Sequence, residues 1–131
     1  MRWGRSVGSK RFSVFAPAAN LFGRRRRQRG MHHLLFRYET KPEATERNAE
    51  LVGNVFRELE AAAPEGVRYL VLCGAENTFY HFVAYESEEA NDQLTELPAF
   101  KAFVEGGEAR RVAKPAGGDI TIVGNYGMLA T

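Results

Sequence analysis

The stretch that most constrains this chain runs from Val67 to Tyr85, VRYLVLCGAENTFYHFVAY. Two runs rich in branched and aromatic residues, Val67 to Cys73 and Thr78 to Tyr85, flank Gly74, Glu76 and Asn77. That pattern predicts a β-hairpin with a short polar turn. Neither strand has a polar face. Leu70 and Leu72 share one phase, with Tyr69, Val71 and Cys73 in the other. Tyr80, Phe82 and Ala84 share one phase, with Phe79, His81, Val83 and Tyr85 in the other. Side chains alternate across a strand, so apolar residues in both phases require cover on both faces. The domain's own helices can cover one face; something else has to cover the other.

The flanking segments supply the rest of a fold. Met31 to Tyr38 reads as a first strand, with Leu34, Phe36 and Tyr38 in one phase and His33, Leu35 and Arg37 in the other. A helix start follows: Thr40 as N-cap, Pro42 in the first turn and Glu43 completing a capping box. Ala44, Leu51, Val52, Val55, Phe56, Leu59 and Ala62 then recur at helical spacing, with a gap at Asn48. Pro64 and Gly66 end that helix. After the hairpin, Ser87 is an N-cap, and Glu88 and Glu89 suit the positive end of a helix dipole. Pro98 should interrupt this second helix, whose apolar side continues through Phe100, Phe103 and Val104. Residues 105–118 read as a loop, and Asp119 to Tyr126 as the last strand.

The order β-α-β-β-α-β is that of an α+β, ferredoxin-like fold. Right-handed crossovers put both helices on one face of a four-stranded antiparallel sheet. The expected helix-side set is Leu34, Phe36, Tyr38, Leu70, Leu72, Tyr80, Phe82, Ala84, Ile120 and Ile122. The expected open set is His33, Leu35, Arg37, Tyr69, Val71, Cys73, Phe79, His81, Val83, Tyr85, Thr121, Val123 and Asn125. So apolar an open face would exceed the roughly 300–600 Å² patches of monomers. A second copy packed face to face is the economical cover, giving a homodimer whose sheets enclose a barrel-like interior. The alternative is a monomer lidded by the N-terminal segment, which is poorly suited by its charge.

Charge separates that segment from the body. Among 131 residues, 18 are Lys or Arg and 16 Asp or Glu. Nine of the bases and none of the acids fall within residues 1–30. The folded domain expected over residues 31–131 is therefore acidic, which argues against a nucleic-acid surface. For residues 1–30 the preferred reading is an over-long gene start with translation beginning at Met31. An organellar presequence comes next, and a basic arm touching RNA or anionic lipid last. Cys73 is the only cysteine, so an intrachain disulfide and a zinc cluster are both ruled out. No apolar run reaches the length of a membrane span. These features, with Arg far in excess of Lys, suggest a cytoplasmic protein from a GC-rich bacterium.

The chain resembles the dimeric α/β-barrel superfamily. MHHLLFRYE is similar to the first strand of its stress-responsive barrel members, and YESEEANDQLTELPAFKAF, Tyr85 to Phe103, resembles antibiotic-biosynthesis-monooxygenase-type domains. The likeness spans roughly residues 31–127, about the size of one domain. It implies the ferredoxin-like fold and a homodimer. For activity it implies oxidation of an electron-rich aromatic by oxygen, without metal or organic cofactor. A haem-degrading branch keeps a late histidine in the second helix and a buried tryptophan. Here the first position is Phe103 and the only tryptophan is Trp3, so haem degradation is not expected.

The candidate site follows from the expected open face. His81 is the candidate base for a phenol or hydroquinone proton, with His33 and Arg37 supporting the reaction and the resulting oxyanion. Tyr69, Phe79, Tyr85, Thr121 and Asn125 are the candidate substrate-binding residues. Each has a plainer reading: a strand histidine is commonly a hydrogen-bonded core or interface residue, and Arg37 can reach solvent or a partner acid. His32 and His33 point to opposite faces and are not a chelating pair. Cys73 reads as a buried small residue, not a nucleophile. The glycines of 105–118 lack the order of a phosphate loop. The competing class is a non-catalytic dimer that binds a small ligand or has a structural role.

Overall fold

The computed structural model describes residues 30–129; the expectations for the basic stretch before Gly30 lie outside them. Four strands form one antiparallel sheet: β1 (His32–Glu39), β2 (Val67–Gly74), β3 (Thr78–Tyr85) and β4 (Ala116–Ile120). Their order is β2-β3-β1-β4, the ferredoxin-like arrangement. Helix α1 (Thr45–Ala62) joins β1 to β2, while α2 (Glu88–Thr95), α3 (Pro98–Val104) and the single turn α4 (Gly107–Arg110) join β3 to β4. The break at Pro98 is present, and Ser87 caps α2 by accepting from the Ala90 amide at 3.1 Å.

The first helix starts differently from expectation. Thr40 does not cap it. A 3-10 turn over Pro42–Ala44 precedes α1, and the Thr40 hydroxyl instead meets Thr45 Oγ1 at 2.8 Å. Thr45 in turn donates to Asn77 Oδ1 at 2.9 Å. The two threonines thus tie the helix entry to the β2–β3 turn. Asn48, Leu51, Val52 and Val55 form the buried stripe of α1, the spacing of one helical face. Leu51, Val52 and Val55 pack with Leu34, Phe36, Tyr38, Phe79, Val83, Phe100 and Phe103 into one core. Burying each such aliphatic or aromatic side chain contributes about 1.5–3 kcal/mol.

Register decides which strand phase meets the helices, and it corrects the expected face assignment. Phe36 stands opposite His81, and Tyr38 opposite Phe79. Tyr69 stands opposite Val83, and Val71 opposite His81. Cross-strand partners share a face. The helix-covered layer therefore holds Leu34, Phe36 and Tyr38 together with Tyr69, Val71, Phe79, His81, Val83 and Tyr85. Leu70, Leu72, Tyr80, Phe82 and Ile120 move to the open side with His33, Leu35 and Arg37. Ala84 is in the open phase yet buried. Cys73, expected to be buried, is exposed at the end of β2.

The last strand is also displaced: it is Ala116–Ile120, not Asp119 to Tyr126. Two features set its place. Gly117 lies so close to β1 that a Cβ would stand 2.0 Å from the Leu35 carbonyl oxygen, at φ +129°. Only glycine allows that approach. At the other end, Ile120 pairs with His33 and β1 begins at His32, so the ladder runs out. Residues 121–129 continue outside any strand, with Val123 and Tyr126 both 99% exposed. Among the described residues, no helix is long and apolar enough to cross a membrane.

Candidate functional site

The helix-covered layer contains a continuous chain of polar groups inside the aromatic core. His81 is fully buried. Its Nε2 lies 2.8 Å from Tyr38 Oη and its Nδ1 2.7 Å from Tyr69 Oη. Asn48, the gap in the apolar stripe of α1, donates from Nδ2 to Tyr38 Oη at 2.9 Å. Arg110 Nε donates to Asn48 Oδ1 at 2.9 Å. Five residues from β1, α1, β2, β3 and α4 are thereby joined.

The proton order along this chain follows from its ends. A guanidinium has donors only, so Arg110 fixes the Asn48 amide with Oδ1 towards itself and Nδ2 towards Tyr38. With Tyr38 Oη accepting from Asn48, the assignment that uses the Tyr38 proton within the chain directs it at His81 Nε2. His81 then carries its proton on Nδ1 and donates it to Tyr69 Oη, whose own O–H is the terminal donor. Rings hold the imidazole in place: Phe103 stacks on it with centroids 5.4 Å apart, and Arg110 Cζ lies 5.4 Å from the Phe103 centroid. Phe56 stacks on Tyr69 at 5.0 Å.

Burial sets the charge states. Desolvation lowers the His81 pKa to about 3, so the imidazole is neutral at ordinary pH. Desolvation likewise raises the phenols of Tyr38 and Tyr69. A neutral imidazole between two phenols favours hydrogen-bond donation over proton uptake. His81, the expected base, is thus placed as a buried neutral imidazole with Tyr69 Oη at its Nδ1.

The other expected site residues separate. Tyr69, Phe79 and Tyr85 share the helix-covered layer with His81, and Phe79 and Tyr85 are buried there. His33 and Arg37 lie on the opposite face, because they pair with Ala84 and Tyr80. They cannot support His81, since the sheet stands between them. Thr121 and Asn125 lie beyond β4 and are exposed; Asn125 closes a local turn by accepting from the Met128 and Leu129 amides at 3.1 and 2.9 Å. Tyr38, Asn48 and Arg110 are the members that sequence reasoning missed. The polar gap at Asn48 in an otherwise apolar helix face was the readable signal for one of them. No group of three or more metal-ligating side chains occurs among the described residues.

Comparison with known proteins places this architecture. The family described as "Antibiotic biosynthesis monooxygenase" matches residues 31–106. No curated protein matches the chain. Among solved structures, a "putative antibiotic biosynthesis monooxygenase" from Bacteroides thetaiotaomicron aligns with TM-score 0.63 at 19% identity, covering 78% of this chain and 97% of the other. A protein of the same description from Nitrosomonas europaea aligns with TM-score 0.61 at 15% identity, covering 73% and 93%. Rv0793 from Mycobacterium tuberculosis aligns with TM-score 0.60 at 16% identity, covering 72% and 97%. Identities this low speak for the shared fold, and the family match over residues 31–106 carries the assignment. The chain belongs to the antibiotic biosynthesis monooxygenase family.

Proposed function

We propose that this protein is a monooxygenase for a small electron-rich aromatic of the hydroquinone type, acting at the Tyr69 end of the buried hydrogen-bond chain. The single observation behind this reading is that chain, Arg110–Asn48–Tyr38–His81–Tyr69, set among stacked aromatic rings. A hydroquinone monoanion is strongly reducing and reacts directly with dioxygen, so neither a metal nor an organic cofactor enters the scheme. The substrate supplies both electrons. One oxygen atom enters the ring, the other leaves as water, and a hydroquinone becomes a hydroxyquinone. Tyr69 O–H donates to the substrate oxygen and stabilises its anion, as a donor aimed at developing charge. His81 polarises Tyr69, while Phe79 and Tyr85 line the layer.

Oxygen uptake and mass spectrometry with benzo- and naphthohydroquinones under isotope-labelled dioxygen test this. The expected product carries one labelled atom, and Tyr69→Phe lowers kcat by roughly 10²-fold. Oxygen uptake no faster than in buffer with every substrate, or a Tyr69→Phe variant of unchanged kcat, would overturn the reading in favour of a ligand-binding protein.

The open sheet face supports a homodimer in the same proposal. Leu70 and Leu72 on β2 are 46% and 53% exposed there, and Leu35 on β1 is 36% exposed. A second copy covers these residues as expected for an apolar face of this kind. Light scattering of the full chain distinguishes a dimer, which is expected, from a monomer, which would remove this part of the proposal.

A further inference from the structure

The open face of the sheet is tapered. Cross-strand partners share a face, so its side chains stand in rows that run from β2 to β4. One row is Leu70, Phe82, Leu35 and Gly118, and the next is Leu72, Tyr80, Arg37 and Ala116. Each begins at the β2 edge with a half-exposed leucine. Each ends at the β4 edge with a hydrogen or a methyl group. A Cβ at Gly118 would meet nothing within 4 Å, so that border is open ground. The face therefore stands high along β2 and low along β4.

A taper restricts how such a face can meet itself. Two copies related by a two-fold axis present the same patch to each other, and packed sheets keep their strands within about 30° of alignment. An axis running across the strands lays each strand on its own counterpart. Leucines then meet leucines along β2, and a gap is left along β4. With the Leu35 rows superposed, that axis also sets His33 over the partner's Arg37, two basic side chains. An axis running along the strands lays β2 on the partner's β4 instead. Leu70 then stands over the partner's Gly118, and Leu72 over the partner's Ala116. The same axis sets Arg37 over the ring of the partner's Tyr80, a favourable cation–π placement.

We propose that the open face docks a second copy with the two-fold axis along the strands, so that the leucine ridge on β2 of each copy fills the low border along β4 of the other. This rests on the homodimer reading above and supplies its geometry. It does not depend on oxygenase activity.

Dimer dissociation constants of the full chain, from sedimentation over a dilution series, test this. Ala116→Leu raises the low border and should weaken the dimer roughly tenfold or more, as overpacking does in a filled contact. Leu72→Ala/Ala116→Leu exchanges the two sizes and should bring the constant back to within about threefold of the wild type, the signature of residues in contact. A dimer that Ala116→Leu leaves unchanged or tightens, or one that the exchange does not restore, would overturn the arrangement while leaving the dimer standing. A monomeric wild type would remove both. Cross-linking keeps the test decisive should Ala116→Leu not fold. In a Cys73→Ser background, Leu72→Cys and Ala116→Cys chains are mixed and treated with a bis-maleimide of about 10 Å span, the spacing of packed sheets. Covalent dimers are expected from the mixture and not from either chain alone. Dimers from either chain alone, or none from the mixture, would overturn the arrangement.

Discussion

Asn48 donates its amide to the hydroxyl of Tyr38 at 2.9 Å, across the boundary between α1 and the sheet. Through Tyr38 this contact links the half-buried guanidinium of Arg110 to the imidazole of His81. Removing it separates a cation from the buried chain it orients. Asn48→Leu fills the volume with an apolar side chain but leaves Tyr38 Oη without its amide donor and Arg110 Nε without its acceptor. A loss of about 2 kcal/mol of stability is expected, measured by urea denaturation at neutral pH.

Acid should destabilise the protein through His81. The unfolded imidazole takes up a proton near pH 6.5, whereas burial holds the folded one neutral down to about 3. The unfolded state therefore binds more protons between these values, and stability falls as pH drops through that window. The limiting slope for one group is about 1.4 kcal/mol per pH unit. Denaturation from pH 7.5 to 4.5 should show a shallower decline in His81→Gln than in the wild type. Equal slopes would mean the imidazole is protonated in the folded state.

On the open face, charge should act on association, not on folding. Leu72 is about half exposed and lies away from the core. Leu72→Glu is expected to change chain stability by no more than about 0.5 kcal/mol at a concentration where both proteins are monomeric. It should also shift the mass seen by light scattering from dimer to monomer at concentrations where the wild type is dimeric.

Two glycines should respond oppositely to a methyl group. At Gly117 the new Cβ would collide with the Leu35 carbonyl oxygen at 2.0 Å. Gly117→Ala should cost on the order of 3 kcal/mol and loosen the β1–β4 ladder. At Gly53, inside α1, the nearest atom is the flexible end of Arg57 at 4.0 Å. Gly53→Ala should stabilise by about 0.5–1 kcal/mol, because glycine is the poorer helix former. Thermal melts of the two variants against the wild type check both signs.

The sequence carried the elements well because their signals are local. Ser87 caps its helix by bonding three residues ahead, and Pro98 breaks the helix where it stands. β4 was harder. Its residues, Ala116-Gly-Gly-Asp-Ile, have the composition of a loop, and what makes them a strand is the close approach of β1. Arg68 bears on the face assignment. It shares the phase of Leu70 and Leu72, and an arginine beneath the helices would lack solvent, so that phase belonged outside.

The β-α-β-β-α-β order, the apolar character of both phases of the hairpin strands, and the place of His81 in the second of them were legible in the residues alone. Alternation along a strand is a property of one strand, so these follow without knowing its neighbours. Tertiary structure decided which alternating set faced the helices. Pairing Phe36 with His81, in place of Tyr80 or Phe82, is a shift of one residue, and with a period of two that shift reverses every side chain. It carried His81, together with Tyr69, away from His33 and Arg37 and into contact with Tyr38. The partners of a buried polar group are set by register and helix docking, which no single strand encodes.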